Sequence, residues 1–238
     1  MRVLFRTKYP RKGASSRYRV LQFIPYLERE GFDCDVQSLH TEEYLDSFFS
    51  GGRLPLTYYA GRLLERAAKV LKASQYSAVF IQKELFPYAP PLAEIFFRMR
   101  RIKVIYDIDD AIYLFYTKTR NPFVRFLLRQ KVPKLIGSSS VVLAGNAFLR
   151  DYALRYCPRT VLFPTVIDPS RYDVSYADIK ERDGGFRGAA PVIGWIGTPA
   201  MVEVLREKRE ILKRAAERFP FRLLVIGAPG FTLPGLDI

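Results

Sequence analysis

Three carboxylates stand close together in the stretch YDIDDAIY, residues Tyr106–Tyr113: Asp107, Asp109 and Asp110. Side chains so placed can accept a proton from an attacking hydroxyl, hydrogen-bond the hydroxyls of a ligand, or, as the Asp-x-Asp pair Asp107 and Asp109, hold a divalent ion. A functional site is therefore expected here more than anywhere else in the chain. The alternative is structural, because Asp is a favoured cap and turn residue.

The elements that must position this cluster can be read on either side of it. Lys103–Tyr106 is a short β-branched and aromatic run flanked by charge, which predicts a buried strand with the carboxylates at its carboxyl end. In open α/β sheets that end is where ligands bind. Near the amino terminus, Val3–Phe5 reads as a strand and Thr7–Ser16 as a loop broken by Pro10 and Gly13. A helix follows, with Ser15 or Ser16 as its amino-terminal cap, Val20, Leu21, Ile24 and Leu27 at helical spacing, a kink at Pro25 and Gly31 as terminator. Cys34–Val36 closes a βαβ unit.

Helical segments near Leu56–Lys72, Pro91–Arg100, Phe123–Val132 and Ala147–Arg155 then alternate with short apolar strands at Ala78–Gln82, Lys103–Tyr106, Val141–Ala144 and Thr160–Phe163. The alternation predicts an α/β fold with a parallel sheet covered on both faces. The first domain is expected over residues 1–165 and a linker over 166–190, a stretch rich in Asp, Gly, Pro and Arg. From 191 a second βαβ unit begins, with a strand at Val192–Ile196, a helix at Val202–Arg218 and a strand at Leu223–Ile226. The chain ends 12 residues later, so the second domain, 191–238, is expected to be incomplete.

Composition narrows the function classes. The 238 residues are 49% hydrophobic, enough for a sizeable core, and carry a net charge of +14. No apolar run reaches the ~18 to 20 residues that span a bilayer, and the amino terminus lacks a signal-peptide core, so a cytoplasmic address is expected. Cys34, Cys157 and the single His40 make neither a disulfide framework nor a zinc site. The positive charge suits nucleic acid, anionic lipid or a phosphorylated substrate, and charge alone does not choose. No nucleic-acid motif accompanies it, nor a G-x-G-x-x-G turn for a dinucleotide. Lys118, Arg120, Arg125, Arg129, Lys131 and Lys134 alternate with Phe123, Val124, Phe126, Leu127 and Leu128. This segment reads either as a helix lying on the inner face of a membrane or as a core-facing helix with a solvated basic face.

Six pieces together resemble the amino-terminal half of a retaining GT-B glycosyltransferase, of the large group 1 family that includes glycogen-synthase-like and mannosyltransferase enzymes. They are GASSRYR (Gly13–Arg19), YDIDDAIY, AGNAFLRDYA (Ala144–Ala153), FPTVIDPSRY (Phe163–Tyr172), GWIGTP (Gly194–Pro199) and LLVIGAPGF (Leu223–Phe231). The resemblance implies two Rossmann-like domains and transfer of a sugar from a nucleotide-sugar co-substrate, without further cofactor, to a glycan or a lipid-linked acceptor. It implies that Asp109 and Asp110 are catalytic with no metal site, and it places Gly13, Ser15, Ser16, Arg17, Asp107 and Asn146 on the substrate side and Gly194, Gly197 and Thr198 at the turn that meets the donor. The chain departs from the family in having neither Arg nor Lys between Thr198 and Leu205, and in lacking the donor-side Glu pair. The expectation is that this chain alone does not turn over a nucleotide sugar; an acceptor-binding module without transfer activity is the alternative.

Overall fold

The computed structural model describes residues 1–171 and 191–236. The expected linker, 166–190, lies mostly outside them. The described residues form two compact units, one of residues 1–45 and 54–167, the other of 46–53, 168–171 and 191–236.

The first unit is built on six strands: β1 (Arg2–Thr7), β2 (Asp33–Ser38), β3 (Ala78–Gln82), β4 (Lys103–Ile108), β5 (Val141–Ala144) and β6 (Thr160–Leu162). All neighbours pair in parallel, in the order β2-β1-β3-β4-β5-β6. The connection leaving β1 runs to one side and that leaving β3 to the other, so the order reverses between these two strands. A crevice at the carboxyl ends of the strands is expected there.

Alternation along the strands decides which face each residue serves. Leu4, Val79, Ile81, Val104, Tyr106, Ile108 and Val142 pack with helical residues such as Phe97, Leu135 and Ile136 into the larger core. Val3, Phe5, Ala78 and Phe80 pack with Val20 on the opposite face. Burying each such side chain contributes roughly 1.5–3 kcal/mol. The second face is less tightly closed: a cavity of about 460 Å³ is lined by Val3, Phe5, Val20, Phe80, Ile105 and Leu143 among others.

The helices are α1 (Ala14–Ser16, continuing as a π-type turn over Arg17–Leu21), α2 (Ile24–Arg29), α3 (Glu42–Phe49), α4 (Leu56–Leu71), α5 (Leu92–Met99), α6 (Ile112–Lys118), α7 (Pro122–Leu128), α8 (Lys131–Ser138) and α9 (Ala147–Leu154). Several depart from expectation. Gly13, rather than Ser15 or Ser16, caps α1. The first helix breaks before Pro25 instead of kinking at it, because Pro25 falls in the first turn of α2, where its missing amide costs nothing. The segment expected as one helix over Phe123–Val132 is two, α7 and α8. Pro133 could not continue a helix through Arg129, whose carbonyl its ring would strike.

The second unit carries a two-stranded parallel sheet of β7 (Val192–Ile196) and β8 (Arg222–Ile226). Between them run Glu203–Glu207 and Arg209–Arg218 in place of one expected helix. The Lys208 amide there is shared by the carbonyls of Val204 at 3.2 Å and Leu205 at 3.1 Å, which tightens the turn. Among the described residues no helix is long and apolar enough to cross a membrane.

Candidate functional site

The carboxyl ends of β1, β3 and β4 meet where the strand order reverses. After β1 the chain passes through the loop that ends at Gly13 and enters α1, bringing two serines against β3. Ser16 is fully buried; it accepts from the Tyr9 amide at 2.9 Å and donates to Gln82 Oε1 at 2.6 Å. Gln82, the last residue of β3, donates through Nε2 to Ser15 Oγ at 3.0 Å, and Ser15 in turn donates to Asp109 Oδ2 at 3.0 Å. A hydrogen-bond chain therefore ties the first loop to the carboxylate loop after β4. The Ser15, Ser16 and Gln82 side chains in it are all paired, and Asp109 Oδ1, which has no hydrogen bond, is met by an ion pair, so the network orders a site rather than weakening the fold.

Lys83, the residue after β3, completes this cluster. Its backbone adopts φ 61° and its amide donates to the Asp107 carbonyl at 3.0 Å. A non-glycine residue in the left-handed region is uncommon and costs on the order of 1 kcal/mol, so the surroundings must hold it there. The ammonium lies 3.3 Å from Asp109 Oδ1 and also pairs with Asp110. Burial alone would lower the Lys83 pKa, but Asp109 and Asp110 outweigh it and hold the group above its ordinary value. The two carboxylates differ in access: the Asp109 side chain is 15% exposed and that of Asp110 64%. Asp110 thus faces solvent, while Asp109 is oriented from one side by Ser15 and from the other by Lys83.

Asp107 serves a different purpose. It is fully buried, and the Arg19 guanidinium donates to both its oxygens, through Nε at 3.0 and 2.9 Å and again through a terminal nitrogen. The other terminal nitrogen of Arg19 donates to the Phe163 carbonyl at 2.9 Å and to Thr165 Oγ1 at 3.0 Å. Burial pushes the Asp107 pKa up to about 6 against the opposing pull of Arg19, and the Arg19 pKa is raised by Asp107 against its own burial. With both oxygens committed, Asp107 does not face a ligand, and Asp107 and Asp109 do not present a joint pair to an ion.

The other substrate-side residues divide similarly. Gly13 is required by its own chain: a Cβ there would lie 2.2 Å from Tyr9 Cβ. Arg17 stacks its guanidinium 4.7 Å from the Tyr18 ring centroid at the mouth of the loop, and its Nε has no hydrogen-bond partner. Asn146 caps α9, its side chain accepting from the Leu149 amide at 2.9 Å. Gly145 beside it is needed for close approach, since a Cβ would lie 3.2 Å from Asp109 Cα and 3.4 Å from an Arg19 nitrogen. The site includes two contributors that sequence reading missed, Lys83 and Arg19. For Lys83 the available signal was a lone cation immediately after a strand that is apolar up to its last residue, Gln82. Arg19 was visible only as the last residue of GASSRYR.

In the second unit, Gly194 lies inside β7, paired with Leu224, and not in the turn where it was expected. Gly197 does sit in that turn, where a Cβ would strike the Trp195 ring at 2.5 Å, and its amide donates to the Ile226 carbonyl at 3.0 Å. Thr198 precedes a short 3-10 turn, Pro199–Met201, without capping it through its side chain. Arg206, one of the nearest cations, pairs with Glu203 at 3.1 Å.

No protein-family model and no curated protein matches the chain by sequence. Solved structures do match in fold. The chain is similar to the UDP-GlcNAc 2-epimerase of Neisseria meningitidis bound to UDP-GlcNAc, with a TM-score of 0.58 and 13% identity, over 94% of this chain and 65% of that one. It is similar to an S. aureus MnaA–UDP structure, with a TM-score of 0.57 and 12% identity, over 94% and 62%. It is also similar to the UDP-GlcNAc 2-epimerase of Methanocaldococcus jannaschii, with a TM-score of 0.52 and 13% identity, over 96% and 66%. The chain thus spans under two thirds of the length of each. At this identity the likeness establishes the fold, an α/β architecture of the GT-B type with a Rossmann-like parallel sheet.

Proposed function

We propose that the chain binds a nucleotide sugar and serves transfer of its glycosyl group to a hydroxyl of a glycan or lipid-linked acceptor. The observation that carries this reading is the convergence of Ser15, Lys83, Asp109 and Asp110 at the point where the strand order reverses. In such a transfer the acceptor oxygen bonds to the anomeric carbon, the bond from that carbon to the diphosphate breaks, and the hydroxyl proton needs a base. Asp110, open to solvent and close to an ammonium, is the carboxylate that an incoming hydroxyl can reach. Asp109, fixed between Ser15 and Lys83, sets the position of that ammonium and can accept a second hydroxyl. Arg17 at the loop mouth adds a cation for the sugar or its phosphate. On the donor side the reading assigns the β7 turn, with Thr198 as the contributing side chain; Gly194 and Gly197 shape its backbone. That two of the matched structures are described as holding UDP or UDP-GlcNAc supports a nucleotide-sugar ligand.

A second reading is favoured by the fact that two of the matched structures are of 2-epimerases: the same carboxylate and ammonium groups could move a proton on the sugar ring. One NMR experiment separates these, with UDP-GlcNAc as the probe. Saturation transfer to the probe shows binding. Release of UDP with a new glycoside shows transfer, a new UDP-sugar shows epimerisation, and binding alone shows a module without turnover. Asp110→Asn should abolish any turnover that the wild-type chain shows while sparing binding of UDP. No binding of UDP-GlcNAc or UDP by the folded chain would overturn the proposal.

A further inference from the structure

Residues 111–150 contain no Asp or Glu and seven cations: Lys118, Arg120, Arg125, Arg129, Lys131, Lys134 and Arg150. Of these Lys131 is spent inside the fold, pairing with Glu84 at 2.6 Å and donating to the Phe86 carbonyl at 2.7 Å. Lys118, Arg120, Arg125, Arg129 and Lys134 are exposed. The hairpin of α6 and α7 that carries most of them also exposes large apolar side chains, Phe123 by 72%, Phe126 by 76% and Leu127 by 49%, while Leu128 alone on α7 is fully buried. The core-facing alternative thus accounts for only one side of α7. Phe123, Phe126 and Leu127 stand at i, i+3 and i+4 and so form one stripe, with Arg125 and Arg129 beside it. On α6, Phe115 is 51% exposed and lies 5.7 Å, centroid to centroid, from Tyr88, itself 64% exposed.

We infer that this hairpin docks the protein on an anionic lipid surface, the aromatic stripe entering the headgroup region and the five cations lying over acidic headgroups. Charge complementarity selects that occupant. An apolar stripe rimmed by cations, on a segment that itself has no carboxylate, matches a surface that is negative at its boundary and apolar beneath. A nucleic acid would meet the cations but leave a continuous Phe-Phe-Leu stripe unused. The placement has a consequence for the site. Phe115 is roughly 5 Å along α6 from Ile112, two residues after Asp110, and Tyr88 is in the loop that starts at Lys83. The two loops that carry Lys83, Asp109 and Asp110 therefore both lead into the docking surface. Resting on the transfer reading proposed above, this orients the carboxylates toward a lipid-linked acceptor; the docking itself does not require that reading.

The test is flotation of the full chain with phosphatidylcholine vesicles, with and without about one third phosphatidylserine, read beside UDP-GlcNAc binding so that loss of either is seen separately. Binding is expected only to the anionic vesicles and should weaken from low to physiological salt, since exposed charges are screened within about 8 Å there. Arg125→Glu with Arg129→Glu should weaken it about tenfold or more, and Phe123→Ser with Phe126→Ser comparably, each with unchanged circular dichroism. The control pair Arg29→Glu with Lys72→Glu makes the same charge change near the amino ends of β2 and β3 and should leave binding within about twofold. Equal binding to neutral vesicles, equal loss in the control pair, no vesicle binding alongside tight binding to single-stranded DNA, or a concentration-dependent dimer abolished by the Phe pair would each overturn the proposal.

Discussion

Asp107 and Asp109 are two residues apart, yet their environments set opposite costs for removing them. Asp107 is fully buried against Arg19, which also holds Phe163 and Thr165. Asp107→Asn would leave a buried guanidinium without its counter-charge, a change that typically costs about 3–5 kcal/mol. Asp109→Asn leaves Lys83 its pairing with Asp110 and should change stability by no more than about 1 kcal/mol while reducing turnover. Urea unfolding of the two variants measures the contrast, and similar losses from both would show that Asp109 is structural. His40 gives a separate prediction. It stacks at 3.8 Å on Tyr44 and at 5.7 Å on Tyr9, and burial, then Lys8, Arg66 and Arg62, lowers its pKa to about 4. Because the unfolded value near 6.5 is higher, the unfolded chain binds more protons between pH 4 and 6.5. The stability contribution of His40 is therefore full above pH 6.5 and is lost as pH falls through 4. Allowing for its partial exposure, wild type should lose roughly 2 kcal/mol more than His40→Phe between pH 7 and pH 4. Parallel stability profiles for the two proteins would sink this assignment.

At the scale of elements, α9 depends on its first residue. Asn146 accepts from the Leu149 amide, and Gly145 lets that helix start beside Asp109. Asn146→Ala should cost about 1 kcal/mol by thermal unfolding, with little change in nucleotide-sugar binding. A larger effect on binding than on stability would return Asn146 to the ligand side. The strands were legible because parallel strands are short apolar runs bounded by charge or turn residues, and β3, β5 and β7 match their expected limits. β4 runs two residues further than expected, through Asp107 and Ile108. Asp is disfavoured in strands, and the Arg19 that makes it tolerable lies 88 residues away. The helix α6, IYLFYTK, was missed because it is short and apolar nearly all round, and so has no polar face to set a period. Within the candidate site, the Asp cluster and the serine loop could be read from composition and order. The turn that places the Lys83 ammonium between two carboxylates could not, because its left-handed backbone is imposed by tertiary contacts.

Considered as a whole molecule, the two units differ in how well their sheets are shielded. In the first unit β3 is buried along its entire length, and β4 is buried from Val104 to Ile108 except at Ile105. In the second, Val192 is 37%, Ile193 45%, Ile196 79%, Leu224 51% and Ile226 48% exposed, although β7 and β8 pair in parallel. Parallel strands normally stand with both faces covered, and their hydrogen bonds are less stable per residue than antiparallel ones. With several apolar side chains left about half in water, the β7–β8 ladder gains much less from burial than β3–β4, at about 25 cal/mol per Å² of apolar surface removed from solvent. Hydrogen exchange should therefore find the amides of β7 and β8 opening at far lower free energy than those of β3 and β4. If opening is governed by burial, the difference should amount to several kcal/mol, or exchange faster by about 10² or more. Filling the apolar surface should reverse it: any ligand that protects β7 and β8 without changing β3 and β4 identifies the face it covers. Equal protection of the two sheets in the free chain would mean that burial does not set local stability here.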